Sequence, residues 1–206
     1  MANRAELIFD IVSPNAYLIW KPLREVIART GAELDVTPAF LGGMHKLTGN
    51  APPFMRDGGV KGKNEYAMLE FNRFIARHEL TKYKMHPAFP FNSIMIQRLC
   101  YAADQDGRGV QFVEAILPAI WEEGLDPGDA EVIGAMLAKA GFDTGDLFAR
   151  IQTDEVKQGL IANTEHAVER GAFGIPTVFT GPKDGPQEMF FGKERLAQIE
   201  EELEKG

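Results

Sequence analysis

The chain has 206 residues, 45% of them hydrophobic and 25% charged, with a net charge of −8 and a single cysteine. That length suits one generous domain or two intimate ones, and the acidic balance argues against non-specific binding to nucleic acid or to an anionic membrane. A lone cysteine excludes an intramolecular disulfide, and no apolar run approaches the ~20 residues of a membrane span, so a soluble, cytoplasmic protein is the expectation.

The apolar residues Leu7-Ile8-Phe9 and Ile11-Val12 make 6–12 read as a buried strand, too short for a helix. It stops at Ser13-Pro14. Serine is a favoured N-cap, and proline suits the first helical position, where its missing N–H costs nothing. The helix that follows is expected to run to about Arg29, with Gly31 as its terminator. Glu33 to Phe40 alternates like a second strand, Pro38 marking its end or an edge. Gly42 to Gly62 carries glycines and prolines and reads as a long loop.

From Lys63 to Arg170 the pattern is helical almost throughout. Met68, Phe71 and Ile75 share one face over 64–79, and Met95, Leu99 and Ala102 share another after Asn92-Ser93. Phe112, Ile116 and Ile120 mark a third helix, which Pro118 is expected to kink or interrupt. Val132, Met136 and Ala140 mark a fourth, and 154–170 a fifth, closed by Gly171. Pro176 to Phe179 and Glu188 to Phe191 read as two strands, and Lys193 to Glu204 as the last helix.

A strand feeding a helix, then a distant Ile-Pro-Thr turn, then final strands and a helix is the order of a thioredoxin-type fold. The reading is therefore α/β: a thioredoxin-like domain, 1–45 with 172–206, interrupted by a helical insertion, 46–171. Redox members of that fold carry Cys-x-x-Cys at the first helix. Here Ser13 and Ala16 stand at those positions, which disfavours a disulfide oxidoreductase. A helix N-terminus offers unpaired N–H groups and about half a positive charge, an environment that stabilises a thiolate.

Asp10-Ile-Val-Ser13-Pro14-Asn-Ala-Tyr17-Leu18, Phe173-Gly-Ile-Pro176-Thr177 and Phe191-Gly192-Lys-Glu-Arg195-Leu196 resemble the 2-hydroxychromene-2-carboxylate isomerases and their relatives, the kappa-class glutathione transferases. Gly49-Asn50 with Pro52-Pro53, Phe89-Pro90-Phe91-Asn92-Ser93 and Trp121-Glu-Glu-Gly124 extend the resemblance over nearly the whole chain. It implies a thioredoxin domain interrupted by a helical domain of the DsbA or kappa type, glutathione as cofactor, and a homodimer. Its catalytic residue would be Ser13, holding the sulfur of a bound thiol. Pro176 would be cis, offering the backbone of Ile175 to an extended ligand as an added strand. Asn50 and Lys63 would contact the glycine end of glutathione, with Lys61 a competing assignment. Lys193 and Glu194 would meet the γ-glutamyl end, where the family usually has a small polar residue followed by Asp. Lys46 is a candidate for the carboxylate of an acidic substrate and Tyr17 for the wall of its cleft.

The activity so implied is glutathione-dependent isomerisation of 2-hydroxychromene-2-carboxylate or a related conjugated aromatic acid. A kappa-type transferase or peroxidase and a non-enzymatic thioredoxin-like binding module are the alternatives. Cys100 lies on an apolar helix and reads as an inert core thiol. The four histidines have no metal-ligand spacing, and Glu122-Glu123 reads as a solvated face.

Overall fold

A first strand buried on both faces and a proline-started helix directly behind it set the frame of the molecule, a computed structural model that describes residues 3–205. Strand β1 (Arg4–Phe9) feeds helix α1 (Pro14–Thr30), which ends at Gly31 in the left-handed region, φ 69°. Strand β2 (Glu33–Pro38) then pairs parallel to β1, from Arg4 opposite Glu33 to Phe9 opposite Pro38. Helices α2 (Leu41–Thr48), α3 (Pro53–Arg56), α4 (Lys63–Arg77), α5 (Ile94–Gln105), α6 (Gly109–Trp121), α7 (Ala130–Lys139), α8 (Thr144–Arg150) and α9 (Asp154–Glu169) follow. The chain returns as strands β3 (Thr177–Thr180) and β4 (Glu188–Phe191), antiparallel to β1 and to each other, and closes with a 3-10 turn (Lys193–Arg195) and helix α10 (Leu196–Leu203). The sheet order is β2-β1-β3-β4.

This is the thioredoxin-like sheet expected from the sequence, with the helical segment inserted between β2 and β3. Helix α10 packs on α1 and β3, while α5, α6 and α9 pack on β2. Leu7, Phe9 and Val36 of the sheet and Ile96, Phe112 and Leu160 of the insertion are all buried. A boundary at residue 45 falls inside α2. Helix α6 runs through Pro118 to Trp121. The missing N–H there costs one bond of the ladder in the last turns of a helix whose face is otherwise buried.

The segment from Gly42 differs from its reading as a loop, because α2 occupies 41–48. Its helical signal is hidden in two ways. The first N–H, on Leu41, is satisfied by the Asp10 carboxylate of a different element, at 2.8 Å, so no local capping residue is needed. Gly42 and Gly43 lie within the helix against the Phe40 ring: a Cβ at either would come within 3.1 and 3.3 Å of it. Glycine here serves close packing, which overrides its poor helix propensity of about 1 kcal/mol.

The end of α9 is fastened to the sheet by a buried ion pair. Glu6 of β1 is 5% exposed. It accepts from Arg170 at 2.8 and 3.1 Å and from the Thr37 hydroxyl at 2.6 Å. Burial alone would raise its carboxyl, but the Arg170 and Thr37 bonds hold it below the usual range. The Arg170 guanidinium also lies 3.7 Å above the Phe179 ring. Removing one partner of a buried pair strands the other charge, which typically costs about 3–5 kcal/mol. Arg4 stays 3.5 Å from Glu6, so Arg170→Met should destabilise the fold by less than that, about 1–3 kcal/mol in urea unfolding, and adding Glu6→Gln should restore part of the loss. A single-variant cost below about 1 kcal/mol would mean that water replaces the guanidinium.

Candidate functional site

The sharp passage from β1 into α1 brings Ser13 to the first helix start with extended backbone, φ −81° and ψ 114°. Its side chain makes no capping bond. The hydroxyl instead donates to the carbonyl of Ile175, at 3.0 Å, and Ser13 is 4% exposed. The Ser-Pro start is therefore a cap in position only. The first turn of α1 holds no acidic residue, so its positive end is not neutralised from within the helix.

Opposite Ser13, the Ile175–Pro176 peptide is cis. Each carbonyl of this turn accepts a hydrogen bond, three of them from remote parts of the chain. Phe173 accepts from the Asn50 amide at 2.7 Å, Gly174 from the Thr177 hydroxyl at 2.8 Å, Ile175 from Ser13, and Pro176 from the N–H of Gly192 at 3.0 Å. A Cβ on Gly174 would press within 2.8 Å of the Phe191 ring, so the turn packs directly on β4. The N–H of Ile175 has no acceptor among the described residues, although Ile175 is buried.

The turn that carries Ser13 is fixed by buried polar groups from the insertion. Gln97 of α5 accepts from Ile11 N–H at 3.2 Å and donates to the carbonyls of Phe9 and Ala39 at 2.7 and 2.9 Å. The Trp121 indole donates to the Ile11 carbonyl at 3.0 Å. Asp10 is fully buried; its carboxylate accepts from Val12 at 3.1 Å and from Leu41. Burial pushes the Asp10 carboxyl up to about 6, against the pull of those two N–H donors.

Asn50 follows α2 and joins that helix to the turn. Its carbonyl oxygen also accepts from Arg56 at 3.2 Å. Arg56 and Lys63 share Asp57, at 3.1 and 2.9 Å, and their hydrogen bonds hold its carboxyl down to about 2. Lys63 is thus tied through Asp57 and Arg56 to Asn50, whereas Lys61 is an exposed residue of the preceding loop. Arg56 went unread in the sequence, where one arginine after Pro52-Pro53 carries no motif.

Tyr17 lies one turn beyond Ser13. Its hydroxyl donates to Glu122 at 3.0 Å, and its ring leads through Tyr83 (5.4 Å) to Trp121 (5.9 Å further). Burial, and then the bond to Glu122, push its phenol well above the usual range. Glu122 is consequently not the solvated residue expected from the sequence; it accepts a phenol and lies 3.9 Å from Lys82. Phe89 and Phe54 continue the aromatic wall towards α3.

Lys193 and Glu194 sit beside this turn, because Gly192 bonds the Pro176 carbonyl. The Lys193 ammonium is buried, paired with Glu194 and placed 5.7 and 5.3 Å from the rings of Phe71 and Phe74. Glu194 is half-exposed. Lys46 is not brought to Ser13; it lines a groove between α2, α5 and α9. Burial keeps the Cys100 thiol protonated. Among the described residues no group of three His, Cys, Asp or Glu side chains could hold a metal ion, and no helix is long and apolar enough to cross a membrane.

The family model described as the DSBA-like thioredoxin domain matches residues 6–204. The chain is 26% identical over 198 residues to 2-hydroxychromene-2-carboxylate isomerase of Pseudomonas putida, covering 95% of this chain and 91% of that protein. It is 27% identical over 209 residues to glutathione S-transferase kappa 1 of Homo sapiens, covering 95% and 88%. A solved 2-hydroxychromene-2-carboxylate isomerase has the same fold, with a TM-score of 0.80 at 24% identity, covering 98% of this chain and 95% of that one.

The buried Asp10 generates a pH test. Its carboxyl binds a proton more tightly in the fold than in the unfolded chain, where the ordinary value is about 3.9. The stability it contributes is therefore full below about pH 4 and declines as pH rises to about 6. Thermal unfolding of Asp10→Asn should be less stable throughout, since one of the two N–H donors loses its acceptor, but flatter across that window than the native chain. An unchanged slope would assign the titration to Asp104, whose carboxyl burial also raises to about 6.

Proposed function

The chain belongs to the DSBA-like thioredoxin domain family, and on that premise we propose that it is a glutathione-dependent isomerase of 2-hydroxychromene-2-carboxylate or a related conjugated aromatic acid. The observation that carries the reading is the contact between Ser13 and Ile175, at the positive end of α1, in a chain with no cysteine at that place. Relatives named as this isomerase and as kappa-class glutathione transferase along almost the full length support it.

The unpartnered N–H of Ile175 fits an extended cysteinyl segment lying against the turn as an added strand. An N–H of that segment would take over the Ile175 carbonyl and release the Ser13 hydroxyl. That hydroxyl would then donate to the ligand sulfur, a charge-assisted bond worth roughly 1.5–3 kcal/mol that lowers the thiol pKa. Glutathione, if bound there, would supply a thiolate that can add reversibly to a conjugated double bond, permit rotation about it and leave again unconsumed. Asn50, with Lys63 and Arg56 behind it, would hold the glycine carboxylate. Glu194 would meet the γ-glutamyl ammonium, its own charge shared with Lys193. Tyr17 and the rings beyond it would wall the aromatic acid. The exposed apolar side chains of Met55, Val60, Tyr66, Met68 and Leu69 along α3, α4 and the segment between them fit a second copy of the chain, in keeping with a homodimer.

A kappa-type transferase is the second reading, favoured by the relative of that name. Turnover that leaves the glutathione concentration unchanged separates the isomerase from it. Titration calorimetry should give saturable glutathione binding near one site per chain. Ser13→Ala should remain folded and bind, yet lose activity at neutral pH and regain part of it in alkali as the unassisted thiol ionises. An unchanged pH–rate profile in that variant would remove Ser13 from the chemistry.

Glu194→Ala should weaken glutathione about ten-fold and leave cysteinylglycine, which lacks the γ-glutamyl group, nearly untouched. Equal, small losses for both ligands would mean that Glu194 is a solvated residue of the first turn.

A further inference from the structure

A groove of about 320 Å³ opens between α2, α5 and α9, and neither Ser13, Tyr17, Ile175 nor Pro176 lines it. Its base is apolar, with Ile94 from α5 and Leu160 from α9. Three cations surround it, one from each helix: Lys46, Arg98 and Lys157. Glu165 is the one carboxylate in its lining. In a chain of net charge −8, this is a local reversal of sign over an apolar floor.

The arginine carries the second observation. Nε of Arg98 is buried and has no hydrogen-bond partner. A desolvated donor without an acceptor is unfavourable, and a guanidinium is shaped to grip a carboxylate through two parallel bonds. Lys157 donates to the carbonyl of Gln152 at 2.5 Å and stands 3.8 Å from the exposed carboxylate of Asp154, so it keeps donors for a further acceptor. Lys46 is exposed and lies across the groove on α2.

We propose that this groove is a second binding site, for a small organic anion with a flat apolar body, such as an aromatic carboxylate. The carboxylate meets Arg98, with Lys46 and Lys157 beside it, and the ring lies on Ile94 and Leu160. The cavity is at the small end of the range for ligand pockets, about 300–1,000 Å³, which suits one or two fused rings. The site stands on its own lining and does not depend on glutathione binding elsewhere. It gives Lys46 a role away from the thiol.

The test is calorimetric titration of the whole protein with 2-naphthoate, and with the neutral 2-naphthamide as counter-probe. The expected result is saturable binding of the acid near one site per chain, weakened by salt, with the amide bound at least about ten-fold more weakly. Arg98→Met should weaken the acid about ten-fold or more. Ile161→Trp fills the groove from an exposed position on α9 and should do the same without touching a charge, so it decides the matter if Arg98→Met fails to fold. Saturating glutathione and Ser13→Ala should leave the acid's affinity unchanged. No saturable binding at millimolar acid would overturn the proposal. So would affinity indifferent to both groove variants, or displacement by glutathione, which would move the probe to the thiol site.

Discussion

A buried turn must have its backbone polar groups satisfied, and in this protein that constraint binds the site together. The carbonyls of Phe173, Gly174, Ile175 and Pro176 are met in succession by the residue after α2, by β3, by the start of α1 and by the end of β4. Three further segments, around residues 13, 50 and 192, are thus indexed to one turn. The N–H of Ile175 has no acceptor among the described residues, and it adjoins the helix start where a thiolate would be stabilised.

The facing turn obeys the same rule with different means. Between Phe9 and Ser13 the chain leaves the sheet before the helix begins, so its amides and carbonyls cannot pair within either element. Gln97, Trp121 and the Asp10 carboxylate supply the missing partners. Two of these three come from the helical insertion. The insertion is therefore part of the thioredoxin-like scaffold, holding the first turn as firmly as the sheet does. A buried network of this kind favours one geometry, because each member left unpaired is costly.

Charge is distributed to match. Glu6 and Arg170 use a buried pair to anchor the end of α9, leaving the turn after it rigidly placed. Arg56 and Lys63 converge on Asp57 beside Asn50, leaving one positive charge in excess near the turn. Lys193, by contrast, is spent internally, against Glu194 and two phenylalanine rings. Lys63 and Lys193 thus have unlike roles: the first ends in a surface ion pair, the second lies against two rings of α4.

The sequence by itself determined the order of elements, the α/β class, the interruption of the thioredoxin-like unit and the replacement of its dithiol by Ser13 and Ala16. These rest on periodicity, on proline and glycine placement and on residue identity, all of which are local. It also marked Ser13, Asn50 and Pro176 through motifs. What only the tertiary structure decided was which groups meet. Helix α2 was unreadable because its cap is Asp10, from the turn after β1, and its glycines answer to the Phe40 ring. Gln97 resembled any polar residue on a helix, and Glu122 any surface carboxylate, until their partners on β1 and α1 were in place. The Ser13 hydroxyl, a plausible cap in sequence, turns instead to a carbonyl 162 residues away. A hydrogen bond depends on distance in space, and the local pattern of a chain carries no record of which distant group the fold will bring within reach.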